Sequence, residues 1–519
     1  MCHKTDVEGQ LFHTNFTASE ALRVKPIGTI TMCFPYVDEE TRSILQSLMN
    51  DAENFADFAE RLCDRVCAEP SPPLLAYFAV YFPFWLDWYV LVDRLDSAGK
   101  VPDVASPLLL LTRARRGEAV SWDDSKESMK RALMVAPNDW IASHLYLNWR
   151  FLAEQYYPEP DVDIRPIEAI TSSVEENTDL AFFKTYLLYL RGIAYDRESK
   201  PMDAVNQFKQ ALTIARKFDE QTMMAGLLCD IAGRVKQTDI KQAIDLLISS
   251  RELSERLGCQ SLTGAVQHQL GHIMAFRGEL DAAIEYQSEY KTVRESLGLP
   301  IRFLNSIIAS LYNQFGKGEE ALQLAKTALD LGRSAIRILS FPRVQLAWAL
   351  INLGKNDRAE AELATAHERA TKSGDSSQMM WVRLVEGIVD KAEHKSDSAN
   401  IVFKELLEDL RDNPVLVLQN ICLLNLTEIE IDMLTDERLK KNSDFSGPWM
   451  TRLVEHAEKH DLPGIAARAL LLKAELRRKQ GRVDEMRKLL REVQKTAKAP
   501  SMKYLNDLVV SMFPDIILA

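Results

Sequence analysis

The chain has 519 residues, more than one compact core usually holds, so its length predicts several domains or an extended array of repeats. Its net charge of −12 argues against a general nucleic-acid-binding role, and its apolar share of 46% is ordinary for a globular protein. Seven scattered cysteines, with no basic and then apolar leader in the first 30 residues, predict free thiols and a cytoplasmic location.

The N-terminal part divides into two predicted regions. Residues 1–36 are predicted to form a flexible arm, because the sequence is polar and lacks helical periodicity, and Ile27 to Phe34 within it has the β-branched character of a short strand. A helical N-terminal cap is predicted over residues 37–112. Its first helix begins after Asp38, which is a good N-cap residue.

The most apolar stretch, Leu74 to Val92, lies within this predicted cap. Its length is near the ~20 residues of a membrane span. Pro83 and Asp87 interrupt it and no basic flank orients it, so we predict a buried helix pair and no membrane span. Trp85 and Trp88 are its largest side chains, and a docking surface or a homo-oligomer contact through these helices are alternatives that the sequence leaves open.

The central part of the chain contains a sequence repeat with a period of 38 to 40 residues. A small residue marks each repeat, the residue twelve positions earlier is Gly or Ala in five of six repeats, and a turn glycine lies five positions earlier in three. Two antiparallel helices that approach closely through small residues would produce this pattern, and such a hairpin needs neighbours to bury its apolar faces. The marker residues are Ala204, Ala243, Ala283, Ala321, Ala359 and Ala399, preceded by Gly192, Ile231, Gly271, Ala309, Ala347 and Gly387.

This pattern resembles the tetratricopeptide repeat (TPR), whose basic unit has 34 residues, in a long-period variant. The resemblance implies an all-α fold: a TPR-like helical-hairpin superhelix, or α-solenoid, with a helical N-terminal cap. We expect degenerate repeats over residues 113–179, six clear repeats over 180–412, and degenerate repeats with a capping helix over 413–519. Long repeats of this kind also resemble the sensor domains of bacterial transcription activators.

The resemblance further implies that the first helix of each hairpin lines a concave groove. On each first helix, the residue directly after the small residue and the residues four and five positions after it would face this groove. Their mixture of aromatic, polar and charged types suits an extended peptide or a helix. The predicted groove residues are Tyr186, Tyr189, Asp196, Arg197, Lys236, His268, His272, Ser306, Ser310, Asn313, Trp348, Asn352 and Lys391.

Three pairs of metal-ligating residue types have i, i+4 spacing, which places each pair on one helix face. In order, they are His268 with His272, Cys63 with Cys67, and His456 with His460. For the first pair, the sequence leaves open a groove contact, an inert surface and a metal site, although Gln269 stands where a zinc protease needs glutamate. For the second, buried thiols and a soft-metal site remain open, and for the third we expect a solvated face.

The C-terminal repeat is locally basic, which predicts either a solvated helix face or a site for an acidic partner or nucleic acid. Its cations are Arg477, Arg478, Lys479, Arg482, Arg487, Lys488, Arg491, Lys495, Lys498 and Lys503.

The sequence contains no phosphate-binding loop and no nucleophile motif, so we predict no catalytic residue, no cofactor, no metal and no enzyme activity. We expect a protein–protein interaction scaffold or adaptor that binds a peptide or protein segment in its groove. The alternative is a sensor or regulatory subunit of a signalling or transcription-control system that acts through a separate effector. Stabilisation by a small molecule would favour the sensor, and binding of peptides alone would favour the adaptor.

Overall fold

A computed structural model describes most of the repeat region and parts of the N-terminal region. The described residues are 39–53, 55–68, 94, 97, 99, 106, 110, 122–135, 184–185, 188–189, 191–193, 195, 200–217, 220–296, 301–331, 340–373, 376–411, 414–434 and 447–514. The predicted arm and the stretch Leu74 to Val92 lie outside these residues, so these two predictions and the division into domains stay predictions.

Within the described residues the chain is built from α-helices, with one short 3-10 helix, Pro500–Met502, near the C-terminal end. The helices are α1 Glu39–Asp51, α2 Phe55–Ala68, α3 Trp122–Val135, α4 Pro201–Lys217, α5 Gln221–Val235, α6 Ile240–Leu257, α7 Gln260–Arg277, α8 Leu280–Ser296, α9 Arg302–Gln314, α10 Gly318–Leu331, α11 Ser340–Asn352, α12 Asn356–Ser373, α13 Ser376–Ala392, α14 Ser396–Asp409, α15 Leu416–Asp432, α16 Pro448–Lys459, α17 Pro463–Lys479, α18 Val483–Thr496 and α19 Tyr504–Met512.

Successive helices pair as hairpins, and the hairpins stack. Helices α5 to α14 form five consecutive hairpins, and α17 packs on α18 in the same way. Each second helix packs on the first helix of the next hairpin, as α6 does on α7 and α10 on α11, and first helices also contact one another, as α9 does with α11 and α11 with α13. This arrangement confirms the predicted all-α, TPR-like solenoid.

The repeat pattern forms these hairpins because its marker residues are the points of closest contact. All six marker alanines are fully buried, at 0% exposure. A Cβ added to Gly192 would lie 2.4 Å from the Phe208 ring, and one added to Gly387 would lie 2.8 Å from the Phe403 ring. The first-helix glycine therefore makes room for a large residue four positions after the marker, and not only for the marker alanine that the sequence had suggested.

The turns between paired helices follow the same register. Gly278, Gly316 and Gly354 have φ values of +74°, +74° and +68°, in the left-handed region that favours glycine. His394 occupies the equivalent turn of the next repeat with a φ of +61°. The glycine therefore recurs at the ends of α7, α9 and α11 because the turn there needs a left-handed residue.

The superhelix closes on itself, because helices near its C-terminal end pack against the turns of earlier repeats. We call these contacts the closure joint. The Asn420 side-chain amide on α15 donates to the backbone carbonyl of Phe276 at the end of α7, at 2.8 Å. The backbone N–H of Leu416 donates to Gln237 Oε1 at 3.0 Å, so α15 is held at both repeats.

Tyr504 lies at the centre of the closure joint and is 1% exposed. Its hydroxyl donates to the carbonyl of Gly278 at 2.8 Å, its backbone N–H donates to Asp281 at 2.9 Å, and its ring meets that of Phe315 edge-on with centroids 4.8 Å apart. Beside it, the backbones of Gly278 and Gly464 are in contact, since a Cβ on Gly464 would lie 2.1 Å from the Gly278 carbonyl oxygen. Residues more than 180 positions apart therefore form one packed core.

No helix in the described part of the chain combines the length and the apolar character needed to cross a bilayer.

Replacing Gly387 by Ala tests the hairpin packing. The new Cβ would overlap the Phe403 ring, which is fully buried, so we expect the free energy of unfolding to fall by about 1 to 3 kcal/mol. Gly233→Ala is the matched control, because its Cβ would meet Gln269 only at 3.4 Å and the helix would gain about 0.5 to 1 kcal/mol. Denaturant unfolding followed by helical circular dichroism measures both, and equal stability of the two variants would contradict the packing described.

Candidate binding surface on the first helices

The predicted groove residues occupy three kinds of position in the structure. Tyr186, Asp196 and Arg197 lie outside the described residues. Lys236, His268, His272, Asn352 and Lys391 are half-buried. The buried residues are Tyr189, Ser306, Ser310, Asn313 and Trp348.

Several of these residues link neighbouring first helices to one another. The Asn313 amide on α9 donates to the backbone carbonyl and the side-chain oxygen of Gln345 on α11, at 3.0 and 3.1 Å. Asn352 on α11 donates back to the Asn313 carbonyl at 3.1 Å. These hydrogen bonds cross the interface between repeats, so they stabilise the stack.

Two lysines on the first helices are also held by neighbouring residues. Lys236, directly after α5, donates to Gln269 on α7 at 2.6 Å. Lys391 on α13 donates to Asn425 on α15 at 2.9 Å and forms an ion pair with Glu428. Burial alone would raise the pKa of Glu428, but the charge and the hydrogen bond of Lys391 outweigh it and leave that pKa below its usual value.

The His268 and His272 pair is hydrogen-bonded inside the repeat stack. His268 Nδ1 lies 2.9 Å from Gln287 Oε1 on α8, and His272 Nε2 lies 3.2 Å from His268 Nε2. Burial lowers the pKa of His268 to about 4 and lowers the pKa of His272 well below its usual value, with the charge of Lys236 acting in the same direction. Both imidazoles are therefore neutral at pH 7.

The other two pairs differ in what the structure shows of them. Cys63 is a buried thiol, and the side chain of Cys67 lies outside the described residues. His456 is half-buried rather than on a solvated face, with Nε2 2.9 Å from Asn420 Oδ1. Since the Asn420 amide nitrogen donates to Phe276, its oxygen is the acceptor, and His456 supports the closure joint as a donor. Burial lowers the pKa of His456 to about 4.

Across the described residues, no three His, Cys, Asp or Glu side chains come together as a potential metal site.

The structure reveals a row of aromatic rings that the sequence-based prediction missed. Phe303 on α9 contacts Phe341 on α11 with ring centroids 5.8 Å apart, and Phe341 contacts Trp381 on α13 at 5.3 Å. Phe303 is 47% exposed, and the other two rings are half-buried. Their spacing of 38 and 40 residues is the repeat period, and this was the signal that could have found them.

We call Phe303, Phe341 and Trp381 the aromatic row. On each first helix, the position directly after the small residue is occupied by Ser310, Trp348 or Ile388. Each ring lies seven residues, or two helical turns, before that position. The rings therefore share the helix face on which the groove is predicted. They form a continuous apolar strip across three repeats near the N-terminal ends of the first helices.

Unpaired polar atoms lie within one helical turn of the aromatic row. Both side-chain ends of Asn305, which is 1% exposed, have no hydrogen-bond partner among the described residues. The same holds for the hydroxyl of Ser340 and the amide nitrogen of Gln345 on α11. A buried polar atom without a partner destabilises a fold by about 1 to 3 kcal/mol, so each of these groups would be stabilised by a ligand that hydrogen-bonds to it.

Comparison with known proteins agrees with the repeat architecture. Over 239 aligned residues the chain is 23% identical to tetratricopeptide repeat protein 29 of Trypanosoma brucei brucei, covering 44% of this chain and 48% of that protein. The chain is a TPR-like helical-repeat protein. It is also 25% identical over 154 residues to the transcriptional activator NprA of Geobacillus stearothermophilus, covering 28% of this chain and 38% of that protein. The chain thus matches about half, or less, of the length of these relatives.

Solved structures of helical-repeat proteins superpose on the TPR-like chain only loosely. A Rap protein complexed with competence and sporulation factor is 12% identical and has a TM-score of 0.38, covering 78% of this chain and 98% of that one. The apo quorum sensor NprR from B. thuringiensis is 14% identical with a TM-score of 0.40, covering 72% and 98% of the two chains. No protein-family model matches the chain.

The buried histidines predict a loss of stability in mild acid. In the unfolded chain a histidine binds a proton near pH 6.5, whereas folded His268 does so only near pH 4. The free energy of unfolding is therefore highest above pH 6.5 and falls as the pH drops toward 4, because protons bind the unfolded chain first. We expect His272→Gln to reduce this pH dependence of the unfolding free energy. The control is His367→Gln, at a histidine whose side chain is 50% exposed. If the pH dependence of His272→Gln matched that of the wild type, the pair would not be titrating as described.

Proposed function

We propose that this TPR-like chain is a binding protein that holds a segment of another protein along the first helices α9, α11 and α13. The observation that carries the proposal is the aromatic row, because it exposes apolar surface on three consecutive repeats. Aromatic side chains are the commonest anchors of protein interfaces, since they bury a large area at a low cost in side-chain entropy. This role is that of a scaffold or adaptor.

The dimensions of the row suit a short extended segment. Packed helices lie about 8 to 10 Å apart, so three adjacent first helices span roughly 20 Å. An extended peptide advances about 3.3 Å per residue, so roughly six residues would cross the row. Alternate side chains of such a segment point the same way, and three of them could contact the three rings.

The unpaired polar atoms beside the row supply the complementary chemistry. The Asn305 amide has both a donor end and an acceptor end without a partner among the described residues. A peptide backbone offers one N–H and one C=O per residue, which is the matching pair of groups. Since Asn305 is buried, the N-terminal ends of α9 and α11 would need a small displacement for the ligand to reach it.

A second candidate function is a sensor or regulatory subunit that acts through a separate effector. The observation that favours it is the similarity to a protein named as a transcriptional activator, over 28% of this chain. The two candidates differ in what stabilises the purified protein. A small molecule that raises the melting temperature with no peptide present would favour the sensor, and stabilisation by peptides alone would favour the adaptor.

Selection of peptides from a displayed library on the purified wild-type chain tests the proposal. Phe303→Ser combined with Trp381→Ser should weaken binding of the selected peptides by about thirtyfold to a thousandfold, because two aromatic anchors are lost and each is worth about 1 to 2 kcal/mol. The matched control is Ile401→Ser combined with Val510→Ser, two exposed apolar residues away from the row, at 57% and 68% exposure. Fluorescence anisotropy gives the affinities. Equal affinity of the row variant and the wild type, or failure to select any peptide, would contradict the proposal.

A further inference from the structure

Helix α18, the second helix of the last hairpin, carries a row of exposed cations. Its buried side is apolar and consists of Met486, Leu490 and Val493, which pack into the core. The opposite side is exposed and basic. The residues of this basic row are Arg487, Lys488, Arg491 and Lys495 on α18, and Lys498 two residues after its end.

The structure separates these cations from the rest of the basic C-terminal run. On the neighbouring helix α17, Arg477 pairs with Glu485 at 3.1 Å, Arg478 with Glu475 at 2.8 Å, and Lys479 with Asp432 at 3.0 Å. None of the five residues of the basic row has an ion-pair partner among the described residues. The run therefore consists of a neutralised part on α17 and an unneutralised, exposed part that begins on α18.

The geometry of the basic row selects the kind of partner that fits it. Arg487, Arg491 and Lys495 are spaced i, i+4, i+8, so their charges recur about every 6 Å along the helix. The row ends at the exposed carboxylate of Asp484, three residues before Arg487 on the same helix, and the exposed Asp507 lies on the neighbouring helix α19, so the row is short and one helix wide. A nucleic-acid duplex would meet these carboxylates, and the net charge of −12 on the whole chain repels a long polyanion.

A membrane surface also fits the basic row poorly. The apolar side of α18 is buried in the core, so the helix has no apolar face left to enter a bilayer. A short acidic segment fits better, because it needs a strip only one helix wide. At physiological salt it also interacts only with charges within about 8 Å, so the net negative charge of the whole chain does not repel it.

We propose that the basic row on α18 is a docking surface for an acidic segment of a partner protein, one whose carboxylates recur about every 6 Å, as glutamates on every fourth residue of a helix do. This surface lies on the second helix of its hairpin and is separate from the aromatic row. A partner could therefore engage both surfaces at once, or two partners could bind independently.

The experiment measures binding of a fluorescein-labelled, alanine-based helical peptide of about 20 residues with glutamate at every fourth position. The comparison peptide has the same composition, but its glutamates are distributed around the helix. The variant combines Arg487→Glu, Arg491→Glu and Lys495→Glu in the full chain. The matched control combines Lys209→Glu, Arg216→Glu and Lys241→Glu, which change the net charge equally at three exposed cations elsewhere.

We expect the wild type and the control variant to bind the regularly spaced peptide more tightly than the redistributed one, and the affinity to fall with added salt. The α18 variant should bind it about tenfold more weakly, as expected for the loss of three exposed ion pairs. Equal affinity of both variants, or no binding to the wild type, would overturn the proposal. Tighter binding of single-stranded DNA or of phosphatidylserine vesicles, lost only in the α18 variant, would also overturn it by assigning the row to a different anion.

Discussion

The contact between Gly278 and Gly464 constrains the shape of the whole repeat array. In an ordinary solenoid each repeat touches only its neighbours, so its curvature is the sum of small rotations and remains free to vary. Here the two backbones touch, and Tyr504 bonds to Gly278 and Asp281 beside them. The array between them can no longer open freely, and the curvature of its first helices is set by this closure.

The aromatic row depends on that curvature. Its rings are on α9, α11 and α13, which belong to the repeats between the two sides of the closure joint. Contact between rings on neighbouring repeats at 5.3 and 5.8 Å requires the N-terminal ends of these helices to stay close. A closed array thus presents a continuous apolar strip, whereas a more open one would separate the rings. Closure and ligand binding are expected to be coupled in this way.

Charge divides the rest of the surface into bound and available groups. Of the inner lysines, Lys391 forms an ion pair with Glu428 and a hydrogen bond to Asn425, and Lys236 donates a hydrogen bond to Gln269. The exposed cations of α18 have no such partners among the described residues. Inner charges therefore stabilise the stack, and the outer row is available for interaction with another molecule.

The hairpins could be predicted from the sequence because they depend on local spacing. A small residue at a fixed interval is enough to place two adjacent helices, and all six marker alanines are buried as that pattern requires. The groove residues were harder to predict. Ser306, Asn313 and Trp348 have polar or amphipathic side chains at inner positions, but first helices of successive repeats pack against each other and bury them.

The closure joint could not be predicted in this way. It joins turns and helix ends more than 140 residues apart, through backbone groups, side-chain amides and a single tyrosine, and none of these has a periodic signature. The aromatic row was within reach, because its members recur at the repeat period. It was missed because groove residues were predicted only at positions after the small residue, whereas the rings lie two turns earlier on the same helices.

Native-state hydrogen exchange of the Gly464→Ala variant tests the closure most directly. The added Cβ would overlap the Gly278 carbonyl, a backbone group that cannot move aside cheaply. We expect the amides of Tyr504 and Leu416, which are bonded across the joint, to lose their protection together, while amides within the α11–α12 hairpin keep theirs. Gly233→Ala serves as the control. Unchanged protection of Tyr504 and Leu416 in Gly464→Ala would show that the array does not close through this contact.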